Sequence, residues 1–150
     1  MPKSIPVSMH ESVKRKALIA AQAALDKRAE NIVILDLMSL AEESGISSVT
    51  DAFLICSGAS ERQVQSIAEE IAVKLKALFG SARLEGQSEA QWIVVDAGDI
   101  VCHVFLDHVR EYYDLEGAWA EAERIAVPEE LYTNAAPKPE SRNPLSPSFR

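Results

Sequence analysis

Two runs of consecutive apolar residues, Ile32-Val33-Ile34-Leu35 and Ala52-Phe53-Leu54-Ile55-Cys56, constrain the fold of this chain most strongly. Neither alternates with polar residues, so each segment must meet apolar surroundings on both sides, as a strand covered on both faces does. Helices able to supply that cover flank them. Residues 12–28 set Leu18, Ala21, Ala24 and Leu25 on one helical face, and Val64, Ile67, Ala68, Ile71, Leu75 and Leu78 recur at three- and four-residue steps. Ser60 and Gln63, in capping-box spacing, mark the start of the second helix, and Gly80 marks its end. Residues 92–96 and 100–105 read as two strands of a hairpin turning at Ala97-Gly98. Asp107 is placed to cap a helix through Val109 and Tyr112 or Tyr113, and Asp114 a further helix through Trp119 to Ile125. The order α-β-β-α-β-β-α predicts a single α/β (α+β) domain, a mixed sheet flanked by helices. Residues 12–132 hold all of this patterning. Residues 1–11 and the tail 133–150, with Pro137, Pro139, Pro144 and Pro147, offer too little apolar surface to offset the entropy of ordering, and are expected to be disordered.

Charge limits the partners. The net charge is −8, yet the first sixteen residues carry +3 and the last seventeen +2, which leaves −13 on residues 17–133. A body this acidic repels phosphate backbones, so little direct nucleic-acid contact is expected. It suits a basic protein partner, although solubility alone would also account for the charge. No run approaches the roughly 20 apolar residues of a membrane span. The first seventeen residues lack the apolar stretch of a secretory signal, and two cysteines make no disulfide framework. The expectation is a cytoplasmic protein with free thiols.

Catalytic patterns are sparse. Ser57-Gly58-Ala59-Ser60 joins a strand to a helix N-terminus, where free N–H groups attract anions; a nucleotide-dependent transferase using this turn as its phosphate site is the alternative reading. One glycine meets neither the dinucleotide nor the P-loop pattern, and Glu61 disfavours phosphate, so a plain capped turn is the simpler account. The candidate ligands Cys56, Cys102, His10, His103 and His108 show no metal-ligand spacing, and no cofactor is expected. Ser57 or Cys56 with His103 as base has no local signature. Asp96 and Asp99, either side of Gly98, form a possible carboxylate pair but are more simply turn residues.

Aromatic placement is the unusual feature. Of nine Phe, Tyr and Trp residues, Trp92, Phe105, Tyr112, Tyr113 and Trp119 fall within twenty-eight positions. On the strand 92–96, Ile93 and Val95 face the core, while Trp92, Val94 and Asp96 share the mixed face. Two readings stay open: Trp92 is an exposed protein-docking residue, or it is covered by the 112–119 segment of its own chain.

Three stretches resemble the Iojap-like ribosomal silencing factor family. They are Ser48-Val49-Thr50-Asp51-Ala52-Phe53-Leu54-Ile55-Cys56-Ser57-Gly58-Ala59-Ser60; Trp92-Ile93-Val94-Val95-Asp96-Ala97-Gly98-Asp99 running into Val101-Cys102-His103-Val104-Phe105; and Arg110-Glu111-Tyr112-Tyr113-Asp114-Leu115-Glu116 with Trp119. Leu84-Glu85-Gly86 lies between the first two, and the likeness covers roughly residues 13–120. The resemblance implies binding to the large ribosomal subunit through its ribosomal protein number fourteen, steric blocking of subunit joining and repression of translation, with no bond made or broken. It places Trp92, Tyr113 and Leu115 at the partner surface; the charge argument adds Asp96, Asp99 and Glu116 as a polar rim. The family fold is similar to that of nucleotidyltransferases, whose metal-holding Asp-x-Asp pair on a strand is missing here, since the chain runs from Gly58 straight into a helix. Cys102 replaces a usual branched aliphatic, and Gly117 a larger residue, which puts the continuity of the last helix in question. A homodimer in the free state is an accompanying expectation, because an apolar partner surface favours self-association.

Overall fold

A computed structural model describes residues 11–38, 40 and 50–133. The expected disordered stretches, 1–10 and most of the C-terminal tail, lie outside them, as do Ser48 and Val49 of the first family-like stretch. In chain order the elements are α1 (Glu11–Asp26), β1 (Glu30–Asp36), β2 (Ala52–Gly58), α2 (Glu61–Phe79), β3 (Arg83–Glu85), β4 (Trp92–Asp96), β5 (Ile100–Leu106), α3 (Asp107–Tyr113), α4 (Leu115–Ala118), β6 (Glu123–Ile125) and α5 (Glu129–Thr133). The six strands form one sheet in the order β3-β4-β5-β2-β1-β6. Only β2 and β5 run parallel; every other pairing is antiparallel.

The two non-alternating runs become the sheet's inner strands, and their neighbours divide cleanly between two cores. Ile32, Ile34, Leu54, Cys56, Ile93, Val95, Cys102 and Val104 pack under α1 and α2 in the larger core. Leu35, Ile55 and Phe105 point the other way into a smaller core with Val109, where Phe53, Trp92, Leu115 and Trp119 are only partly covered. This period of two, with apolar residues on both faces, is what the unbroken sequence runs encode. On this second face the short α3–α4 segment packs together with Leu37 and Leu40, while Phe53, Trp92, Leu115 and Trp119 stay only partly covered.

At the head of α2 the Ser60 hydroxyl accepts from Gln63 N–H at 3.1 Å, and the Gln63 side chain accepts from Ala59 N–H at 2.8 Å. Its amide also donates to the carbonyls of Lys27 and Arg28, tying this helix start to the end of α1. Gly80 closes the helix at φ +89°. Leu78, expected on the buried face, is instead 56% exposed, because the last turn of α2 meets the core through Leu75 and Phe79.

Three other expectations change. Asp107 does not cap α3: Leu106 occupies the cap without a side-chain bond, and Asp107 opens the first turn. The final helix does not reach Ile125. It breaks at Asp114, which adopts φ +47° and caps α4 by accepting from Gly117 N–H at 3.1 Å; residues 123–125 then form an edge strand against β1. Gly117 is what the compact cap requires, since a Cβ there would strike the Asp114 carboxylate. The element order also gains β3, β6 and α5, each too short to show a hydrophobic period. Lys14, Arg15 and Lys16 lie in α1, as expected for residues 12–28, and Lys16 reaches Asp99 at 2.9 Å.

Candidate functional site

Trp92 begins β4 where the chain emerges from a loop bounded by Gly86. Gly86 holds φ +92°, and a Cβ there would strike the Trp92 carbonyl, so only glycine permits this approach. Ala90 N–H donates to Gly86 O at 3.1 Å, and Leu106 N–H to Gln91 O at 2.9 Å, which fixes the loop to the end of β5. Register then sets Trp92 opposite Phe105. Because α3 follows β5 without a linker, Tyr113 returns over the same end of the sheet.

The result is a graded aromatic stack. Phe105 is fully buried; Trp92 lies over it with ring centroids 4.8 Å apart; Tyr113 packs on Trp92 at 5.0 Å and 45°; Tyr112 meets Tyr113 edge-on at 5.0 Å. Exposure rises outward, to 54% at Tyr113 and 80% at Tyr112. Both readings of Trp92 are thus partly true: its own chain covers one side of it, and it remains part of a surface open to water. Two large, exposed, mutually rigid aromatics are a docking feature, since they offer contact area at low entropic cost.

His103 sits beneath this stack, 7% exposed, edge-on to Phe53 at 4.6 Å. The Trp92 indole N–H donates to its Nδ1 at 3.1 Å. An indole only donates, so Nδ1 must be the unprotonated nitrogen and Nε2 carries the hydrogen of the neutral ring; Nε2 has no partner among the described residues. Burial pushes the His103 pKa down to about 4. The unfolded chain therefore takes up this proton below its ordinary value of 6.5 while the fold resists it until about 4. Stability that is complete above pH 6.5 declines as pH falls through that window, by about 3 kcal/mol in full. Thermal melting between pH 7 and 4 checks this: His103→Leu is expected to flatten the profile, and an unchanged slope would contradict the assignment.

The other site residues divide into two groups. Leu115 and Glu116 lie beside the stack on α4, both half-buried. Glu116, expected at the polar rim, is gripped by Arg110 in a two-pronged ion pair of 3.0 and 2.9 Å, and that bond holds its carboxyl below the usual range. Asp96 and Asp99 are not part of this surface. They stand at the far end of β4, roughly 13 Å along the strand from Trp92. There Asp96 accepts from Gly98 N–H at 2.9 Å and approaches Arg83 at 3.6 Å, while Asp99 binds Lys16. Their turn-forming role was legible in the Asp-Ala-Gly-Asp pattern. Arg110 escaped the sequence reading as a structural residue; its six-residue spacing from Glu116 has no meaning until Asp114 breaks the helix.

The nucleophile and phosphate readings find their groups already engaged. The Ser57 hydroxyl donates to Glu30 O at 3.3 Å and accepts from Arg110 at 3.1 Å. His103 has given its only lone pair to Trp92 and offers no base. Burial raises the Cys56 thiol to about 12 and pushes Cys102 up as well, so both stay protonated and unreactive. At the 57–60 turn Ala59 N–H donates to the Gln63 side chain, and the Ser60 hydroxyl accepts from Gln63 N–H. Among the described residues no His, Cys, Asp and Glu side chains gather as a metal site, and no helix is long and apolar enough to cross a membrane.

Fold and surface together define a small α+β domain with a two-faced mixed sheet, whose distinctive surface feature is an aromatic stack rising from buried Phe105 to exposed Tyr112 and Tyr113. Residues 10–148 match the family model described as ribosomal silencing factor during starvation. The chain is 46% identical over 111 residues to the ribosomal silencing factor RsfS of Bacillus subtilis, covering 69% of this chain and 84% of that protein. A crystal structure of a Chromobacterium violaceum protein aligns with a TM-score of 0.65 at 34% identity, covering 75% of this chain and 88% of that one. A shorter match, 34% identical over 74 residues and covering 47% of this chain, is to mouse mitochondrial assembly of ribosomal large subunit protein 1, of which it spans 32%. The chain belongs to the ribosomal silencing factor family.

Proposed function

We propose that this protein docks on the large ribosomal subunit, on ribosomal protein number fourteen, through the Trp92–Tyr113 surface with Leu115 at its edge, and so blocks joining of the small subunit. The action is steric occupation in the cytoplasm, repressing translation without chemistry. The observation that carries the reading is the half-buried Trp92 stacked with water-exposed Tyr113 in a chain of this family. The net charge of −8 supports it, because complementary fields speed encounter with a basic ribosomal protein. The large-subunit assembly name of the mouse relative points to the same target.

Purified subunits recombined in the presence of the protein and resolved on a sucrose gradient test this. The expected result is protein in the large-subunit fractions and a depleted peak of complete ribosomes. Full ribosome formation at saturating protein would refute the proposal.

A further inference from the structure

A cleft of about 390 Å³ opens beside the aromatic stack, walled by Trp92 and Tyr113, floored by Val109 and flanked by Ser88, Glu89 and Gln91. Its make-up is specific. Two aromatic rings meet there: Trp92, stacked between Phe105 and Tyr113 with its indole N–H already held by His103, adds no free donor, and Tyr113 is 54% exposed. Glu89 is exposed and has no ion-pair partner among the described residues. The loop that carries it is firmly held: the next residue, Ala90, is 2% exposed, and its N–H bonds to Gly86 O.

An exposed aromatic ring beside an unpaired carboxylate suits a desolvating cation, because the face of the ring and the carboxylate both attract positive charge. Phosphate or an acidic peptide would meet Glu89 as a like charge. We infer that this cleft receives one basic side chain, Arg or Lys, from the docked protein, stacked on Tyr113 beside Trp92 and paired with Glu89. Glu89 is then a specificity residue outside the set legible in the sequence. The inference rests on the docking surface proposed above and adds the chemistry of its occupant.

The probe is N-acetyl-arginine amide, titrated to millimolar concentration into the full chain while the Trp92 indole N–H is followed by proton–nitrogen correlation spectra. N-acetyl-citrulline amide, of nearly the same shape but uncharged, is the control. A saturable shift with the arginine compound, much weaker with citrulline and reduced in Glu89→Gln, is expected. Glu89→Lys is expected to lower large-subunit affinity roughly tenfold with an unchanged melting temperature, since a like charge then faces the incoming cation. Equal shifts from both compounds, a flat titration, or unaltered subunit binding by Glu89→Lys would overturn the cation site. If Tyr113→Ala still weakens binding in that case, the docking surface stands and only its occupant is wrong. If neither variant changes binding, both fall.

Discussion

Arg110→Met is expected to cost about 3 kcal/mol of stability, the scale for removing one partner of a buried ion pair. Arg110 is the joint between four elements. From α3 its guanidinium grips Glu116 on α4 with two bonds and reaches the Ser57 hydroxyl on β2, which in turn bonds the Glu30 carbonyl on β1. Its side chain is only 10% exposed, so methionine keeps the packing stem but leaves Glu116 and Ser57 without their donor. For a chain of this size the loss corresponds to a melting temperature lower by roughly 6–12 °C. Glu116→Gln keeps one neutral hydrogen bond and is expected to cost about 1 kcal/mol. Because Arg110 holds the Glu116 carboxyl low, its contribution is present above the ordinary carboxylate pKa and fades as pH falls below it. Calorimetry of the two variants checks the order; equal melting temperatures for Arg110→Met and the parent would remove the joint from the account.

Tyr113→Ala is expected to weaken large-subunit binding by about 1–3 kcal/mol, roughly 5- to 150-fold, with little change in stability. The separation follows from its exposure, since over half of the side chain already faces water. Trp92→Ala is expected to weaken binding at least as much, but it is a less clean probe. It removes a ring stacked on Phe105 and leaves His103 Nδ1 without its donor, so about 3 kcal/mol of folding stability goes with it. Trp92→Phe separates the two effects by keeping an aromatic face without the N–H. Sedimentation binding measured below the melting temperature of each variant gives the comparison. Unreduced affinity in Tyr113→Ala would detach the stack from docking.

The sheet and its two main helices were legible because their signals are local and periodic. Ile32–Leu35 and Ala52–Cys56 announced strands with cover on both faces, and Ser60, Gln63 and Gly80 marked out α2 almost to the residue. The α3–α4 region was not legible for a physical reason. Its path is set by one left-handed residue, Asp114, together with the absence of a Cβ at Gly117, and neither leaves a hydrophobic period. The three-residue strands β3 and β6 are likewise defined by partners distant in sequence. At the site, Trp92 and Tyr113 were named from the family resemblance, and the half-buried face of β4 from alternation. That Trp92 hangs on His103 and that Glu116 serves Arg110 depend on side-chain pairing between elements, which spacing does not encode, whereas the placing of Asp96 and Asp99 at the turn end of the strand was already legible.

The most direct measurement places a photo-crosslinking amino acid at Tyr112, the outermost ring of the stack, and irradiates the protein bound to large subunits. Val73, 61% exposed on α2 on the other side of the sheet, is the control position. Crosslinks from position 112 to ribosomal protein number fourteen, with none to it from position 73, are the expected result. Capture of that protein from position 73 alone, or of only other ribosomal components from position 112, would contradict the assignment of this surface.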